Sequence, residues 1–158
     1  MADAVALRPL TISEAAVAVE VIRAAFAAQP RPTRPPSSAL SESAASIAGK
    51  IEAGGGVGAW ANGRLTGLAL WQVVGDALHV GRVSVLPERR GEGLCRWLLQ
   101  ACEDAARGLG LRRLTLRVRL ELPENERLFE RFGFARCGAE AHEGFDAPTT
   151  AVMEKRLS

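Results

Sequence analysis

Arg89, Arg90, Gly91 and Gly93 stand directly ahead of an apolar-periodic segment that opens at Leu94. A helix starting there presents unpaired N–H groups and the positive end of its dipole. Glycines at 91 and 93 leave no Cβ in the path of a close ligand, and two arginines flank the spot. These parts suit a phosphate group. The same glycines also fit an ordinary turn, so the local pattern alone allows either reading. His79 and His142, the two histidines of the chain, titrate in the neutral range and are the other residues suited to moving protons.

The surrounding elements must hold these residues in place. Residues 78 to 86 are β-branched and apolar enough for a buried strand, and Pro87, with no N–H to donate, stops it. After Gly93, Leu94, Leu98, Ala101, Cys102, Ala105 and Leu109 recur at helical spacing until Gly110 ends the run. Leu114 to Val118 reads as the next strand. Strand, crossover helix and strand imply a parallel pair in the middle of the sheet. Upstream, Ala4 to Leu7 form a first strand. Thr11-Ile12-Ser13-Glu14 is a capping box that starts a helix reaching about Ala27. Gln29 to Ser38 holds four prolines and two arginines and is irregular, either disordered or lining a site. Ser41 to Ala53 is a second helix. Val57 to Ala61, Asn62-Gly63 and Arg64 to Trp71 form a hairpin with a type I′ turn, and Gly75-Asp76 reverses the chain again. Asn125 to Phe132 is a short helix, and Phe134 to Ala139 and Thr149 to Lys155 are the last strands.

The 158 residues predict one domain spanning 1–158. With 47% hydrophobic and 24% charged residues the composition is that of a soluble globular protein. A net charge of +2 is too small to argue for nucleic acid. No run reaches membrane-spanning length and the start of the chain is not a signal sequence, which predicts a cytoplasmic protein. Cys95, Cys102 and Cys137 are odd in number and fit no zinc spacing, so no metal is expected. Cys95 and Cys102 share one face of the helix and read as small core residues.

Arg90-Gly91-Glu92-Gly93-Leu94-Cys95, after a strand ending Val85-Leu86-Pro87-Glu88, resembles the coenzyme-A signature of the GNAT N-acetyltransferase superfamily. That signature is Gln or Arg, two residues, Gly, one residue, then Gly or Ala. Cys95 departs from it, although it too is small. Asn125 to Phe134 resembles the family's second motif, and the element order matches over almost the whole chain. The resemblance implies a GNAT fold of the α/β (α+β) class, with a mixed, mostly antiparallel sheet of about seven strands, a parallel pair in its middle and about four helices. It implies acetyl-coenzyme A as donor and no metal. The pantetheine arm would pair with Val83, Ser84 and Val85. The phosphates would meet Arg89, Arg90, Gly91, Glu92, Gly93, Leu94 and Cys95, with Asn125, Leu128, Phe129 and Arg131 beside the arm and thiol.

The acceptor implied is a primary amine of a small molecule, amino acid or peptide. An ammonium has no lone pair, so the amine must lose a proton before it attacks. His79 on the central strand is the first candidate base, and Glu121 and Glu124 are reserves. Family members often place a tyrosine near position 129 to protonate the departing thiolate, but this chain has no tyrosine. Ser84 or water is then left to supply that proton. Arg31 and Arg34 could favour a carboxylate-bearing acceptor, and His142 could shape acceptor choice. The family also implies a possible homodimer. A coenzyme-A-binding sensor or interaction domain with weak or no transfer is the alternative to an enzyme.

Overall fold

The computed structural model describes residues 4–158. The chain runs through β1 (Val5–Pro9), α1 (Ala15–Ala27), α2 (Ala44–Ala53), β2 (Gly55–Ala61), β3 (Arg64–Val74), β4 (Ala77–Val85), α3 (Leu94–Gly108), β5 (Arg113–Arg119), α4 (Pro123–Arg131), β6 (Ala135–Glu140) and β7 (Thr150–Arg156). This is the order expected from the sequence. The strands form one sheet, ordered β1-β2-β3-β4-β5-β7-β6. Only β4 and β5 are parallel; the other neighbours are antiparallel.

Local chemistry explains most boundaries. Thr11 and Glu14 form the capping box, which first winds a short 3₁₀ turn, Ile12–Glu14, that leads into α1. Ser43 accepts from the Ser46 N–H at 3.1 Å, so α2 begins three residues later than Ser41, which belongs to a separate 3₁₀ turn, Ser38–Ser41. Asn62 and Gly63 have φ of +51° and +75°, as a type I′ turn requires. Leu109 lies beyond the end of α3 and is exposed rather than part of its buried stripe. No helix among the described residues is long and apolar enough to cross a membrane.

Apolar side chains fall into two clusters, one on each face of the sheet. Leu94, Leu98, Leu99, Cys102 and Ala106 of α3 pack with Ala69, Leu78, Val80, Leu114 and Met153. Ala18, Val19 and Ile22 of α1 and Ile47 and Ile51 of α2 pack with Leu65, Leu68 and Leu70. Leu68 and Leu70 thus face one cluster and Ala69 the other, which is the two-residue period of a strand buried on both sides. Cys102 is fully buried, and burial raises its thiol pKa to about 12 and that of Cys95 to about 11. Both are inert thiols, as their helical spacing suggested.

The sheet is irregular at its centre. Leu68 pairs with Ser84 and Leu70 with Gly81, so Arg82 and Val83 together oppose Ala69 in a β-bulge. Arg82 is left-handed there, with φ +53°. On the other edge of β4, pairing with β5 covers only Ala77, Leu78 and His79 against Arg113, Leu114 and Thr115. Beyond that point the two strands lose their ladder, and a cavity lies in the gap.

Candidate active site

A cavity of about 830 Å³ opens along this gap. Its walls include Val80 to Val83 and Val85 of β4 and Leu116 to Arg119 of β5. One end reaches the start of α3, where Arg89, Arg90, Gly91, Gly93, Leu94 and Cys95 line the wall. Gly91 and Gly93 have φ of +85° and +82°, and a Cβ at either would meet no atom within 4 Å. Glycine is needed at both for the left-handed turn, and the space beside each stays open. Gly93 is the N-cap of α3 and no side chain caps the helix. The first N–H groups of α3 therefore face the cavity end without a side-chain acceptor, which is the donor set a pyrophosphate uses. Arg90 donates to the Ala25 carbonyl at 3.1 Å, tying this loop to the end of α1.

Asn125, Leu128, Phe129 and Arg131 of α4 line the same cavity, as expected. Phe129 packs edge-on against Phe134, with ring centroids 5.9 Å apart. Two expected donor contacts are not on the wall. Glu92 turns aside to Arg89 at 3.3 Å. Ser84 is buried, and its hydroxyl donates to the Arg82 carbonyl at 2.8 Å, closing the bulge. The hydroxyl expected to supply a proton is thus engaged within the bulge, and Ser84 does not line the cavity.

The other end of the cavity is formed by side chains. His79 and His142 both line it. His79 Nδ1 lies 2.9 Å from Thr115 Oγ1, and Nε2 lies 3.0 Å from Arg117 Nη1. Arg117 can only donate, so Nε2 holds the lone pair and Nδ1 carries the hydrogen. Burial lowers the His79 pKa, the Arg117 charge lowers it further, and Glu140 partly opposes both. His142 bonds Thr149 Oγ1 through Nδ1, and its Nε2 has no partner among the described residues. Its pKa is also lowered, by desolvation and then by Arg119, against Glu121 and Glu140.

The irregular segment 29–38 forms the facing wall through Gln29, Pro30, Ser37 and Ser38. Several long-range contacts hold it. Arg31 meets both oxygens of Glu124, at 2.6 and 3.0 Å, and also donates to the Glu121 carbonyl at 2.9 Å. The Arg34 N–H donates to Glu121 Oε2 at 2.8 Å, and Arg119 donates to the Pro35 carbonyl at 2.6 Å. Arg82 spans from the bulge to Glu42 at 2.9 Å and to Ser38 Oγ at 2.8 Å.

Four residues expected at the site, Arg31, Arg34, Glu121 and Glu124, do not line this cavity. Arg31 and Arg34 are absent from the cavity wall and act as anchors. Glu121 holds the segment and is likewise off the wall. Glu124 is engaged by Arg31, whose ion pair holds its carboxyl down at about 2. The residues that sequence reasoning missed are Arg82, Arg96, Arg117 and Arg119, all on the wall. A signal for the last two existed. Leu114, Leu116 and Val118 alternate with Thr115, Arg117 and Arg119, so a strand with one apolar face presents its arginines on the other.

The profile of the acetyltransferase (GNAT) family matches residues 20–134, and the chain belongs to that family. Its members are acyltransferases that use acetyl-coenzyme A. No curated protein matches the sequence. Among solved structures, PaiA N-acetyltransferase from Thermoplasma acidophilum, in complex with coenzyme A, is similar at 18% identity and TM-score 0.78, over 98% of this chain and 99% of that one. The ribosomal-protein-S18-alanine N-acetyltransferase from Escherichia coli is similar at 22% identity and TM-score 0.78, over 98% and 95%. A GCN5-related N-acetyltransferase from Rhodopseudomonas palustris is similar at 20% identity and TM-score 0.80, over 99% of each chain. At these identities the likeness is one of fold.

Proposed function

We propose that this protein transfers the acetyl group of acetyl-coenzyme A to a primary amine by direct attack. The observation that carries this reading is the continuity of the cavity. It joins an uncapped helix start, suited to phosphates, to a pocket holding two neutral histidines, through a gap between β4 and β5. The gap offers the unpaired edges of two strands to the amides of a pantetheine arm. The bound thioester supplies an activated acetyl group. The amine nitrogen bonds to the acetyl carbon, the carbon–sulfur bond breaks, and the amine proton passes to a base. Products are an N-acetyl amide and coenzyme A.

His142 fits the base better than His79. The His79 lone pair faces the Arg117 guanidinium, whereas His142 Nε2 is unpartnered among the described residues. Both pKa values lie below the usual 6.5, so both rings are neutral at pH 7. No tyrosine exists to protonate the thiolate, and solvent serves instead. An alkyl thiol has a pKa near ~8.5, so its thiolate leaves tolerably without an acid.

The test is amine-dependent thiol release from acetyl-coenzyme A over a panel of amines, amino acids, aminoglycosides and peptides, with the acetylated product weighed by mass spectrometry. Donor binding without amine-dependent release would leave a coenzyme-A-binding module. With an acceptor in hand, His142→Ala should lower kcat/KM by about 100-fold or more, the usual worth of a general base. His79→Ala should lower it by less than about tenfold. Because the folded pKa is depressed, the acidic limb of the wild-type profile should fall below pH 6.5. The reverse ranking of the two variants would restore His79 as the base.

A further inference from the structure

Among the described residues no aspartate or glutamate lines the cavity, although arginines line it at both ends. Arg89, Arg90, Arg96 and Arg131 belong to the loop, α3 and α4 at the phosphate end. A 3′-phosphate and a pyrophosphate supply ample countercharge there. Arg82, Arg117 and Arg119 belong to the other end. Two of them already have carboxylates: Arg82 bonds Glu42 at 2.9 Å and Arg117 bonds Glu140 at 2.8 Å.

Arg119 is different. Its one side-chain hydrogen bond among the described residues goes from Nη1 to the Pro35 carbonyl, and it makes no salt bridge there. Glu121, the nearest source of negative potential, is turned to the Arg34 N–H. Nε and Nη2 of Arg119 thus have no acceptor among the described residues. These two atoms form one edge of the guanidinium fork, which matches the two oxygens of a carboxylate. Arg119 is half-buried, and burial pushes its pKa down, as befits a desolvated cation lacking a counterion. A guanidinium stays charged regardless, so a ligand anion there would offset its desolvation.

Resting on the N-acetyltransferase reading, we propose that the acceptor bears a carboxylate close to its amine, as a free amino acid does, and that the Nε–Nη2 edge of Arg119 receives it. Arg117 adds positive potential beside it. The amine then lies near His142, whose pKa already responds to the Arg119 charge. The same field disfavours an ammonium and so promotes loss of the amine proton. A polyamine or a lysine side chain finds no carboxylate on the wall to hold its charge. A peptide N-terminus lacks the carboxylate next to its amine.

Matched pairs test this: L-alanine, L-methionine, L-phenylalanine and L-glutamate, each against its α-amide. The amides have less basic amines, so chemistry alone favours them. The wild type should favour the acid in at least one pair by about tenfold or more in kcat/KM, the worth of a charge-assisted hydrogen bond. Arg119→Gln should remove that preference with unchanged acetyl-coenzyme A affinity, and Arg119→Lys should keep part of it. Amides used as well as acids in every pair would overturn the carboxylate site and leave the N-acetyltransferase reading standing. A second measurement does not need turnover. Titrating the N-acetyl amino acids and their amides into coenzyme-A-loaded protein should show the same acid preference, lost in Arg119→Gln. If no amine releases thiol, the N-acetyltransferase reading fails, and these titrations decide the carboxylate site alone. A tenfold acid preference upholds it and its absence overturns it.

Discussion

At the phosphate end of the cavity the ligand-facing groups are main-chain N–H groups of one short loop, held by two left-handed glycines and an uncapped helix. At the proposed acceptor end they are side chains brought from β4, β5 and the loop following β6, against a wall with no regular structure. The main-chain donors of the first end are local, lying between Arg90 and Cys95. The second depends on contacts such as Arg31 to Glu124 and Arg82 to Glu42, which are 93 and 40 residues apart in sequence. Recognition of a shared cosubstrate therefore rests on geometry that few substitutions alter gradually. Recognition of the acceptor rests on ion pairs that can be exchanged one at a time while the sheet persists.

The largest effect on donor affinity should come from the local end. Gly93→Ala forces a Cβ into a left-handed residue, at about 1–2 kcal/mol of backbone strain. It also places a methyl where the phosphates approach. Acetyl-coenzyme A affinity should fall by at least about tenfold, read by calorimetric titration. Gly63→Ala is the matched control. Gly63 also has positive φ and open space, but it sits in the β2–β3 turn. It should lower thermal stability similarly and leave donor affinity alone. Equal donor affinity in both variants would remove the loop from the site and end the contrast between the two ends.

The same contrast explains what the sequence disclosed. The hairpin at Asn62-Gly63, the capping box at Thr11 and the glycine loop before α3 are local rules acting on adjacent residues, and the structure keeps each of them. The parallel pairing of β4 with β5 followed from the crossover through α3. The acceptor end obeys no local rule. Nothing near Arg31 indicates that it pairs with Glu124, and nothing near Ser84 indicates that a bulge turns its hydroxyl to the Arg82 carbonyl. Arginine and glutamate are the most common partners in such contacts, so composition gives no clue to which pair forms. Arg117 and Arg119 were within reach of the alternation in β5, yet that alternation does not say that β4 pulls away from β5 after His79.

A middle-sized effect should follow from Glu42, the hub that fixes the wall to the bulge. Burial opposes its charge, but Lys50 at 2.5 Å, Arg82 at 2.9 Å and the Ser46 hydroxyl at 2.8 Å hold its carboxyl down at about 2. Glu42→Gln should lower stability by about 1–3 kcal/mol, since two cations lose their partner. It should raise the acceptor KM several-fold and leave donor affinity unchanged. The pH dependence has a definite sign. A carboxyl lowered on folding from 4.5 to about 2 contributes stability that is complete above pH 4.5 and fades as the pH falls toward 2. The gap between wild type and variant in denaturant unfolding should therefore shrink over that window. A gap that stays constant through it would mean that the carboxylate charge is not what holds the wall.

The smallest effect should come from Phe129, where the two ends meet. The ring lines the cavity and packs edge-on against Phe134. In the proposed mechanism it is an apolar wall beside the thioester, with no proton to give. Phe129→Tyr should then change kcat little, or raise it if the new hydroxyl reaches the sulfur. Phe129→Leu removes an aromatic pair worth about 0.5–1.5 kcal/mol and some contact area. It should weaken donor binding by several-fold while kcat at saturation stays within about twofold, the split expected when ground and transition states lose the same contact. Steady-state kinetics of both variants on one acceptor, with donor affinity measured separately, decide between the roles. If Phe129→Leu binds the donor normally and yet loses turnover, the ring acts on the transition state. The junction would then belong to the catalytic machinery, and the division into a backbone end and a side-chain end would need a third region between them.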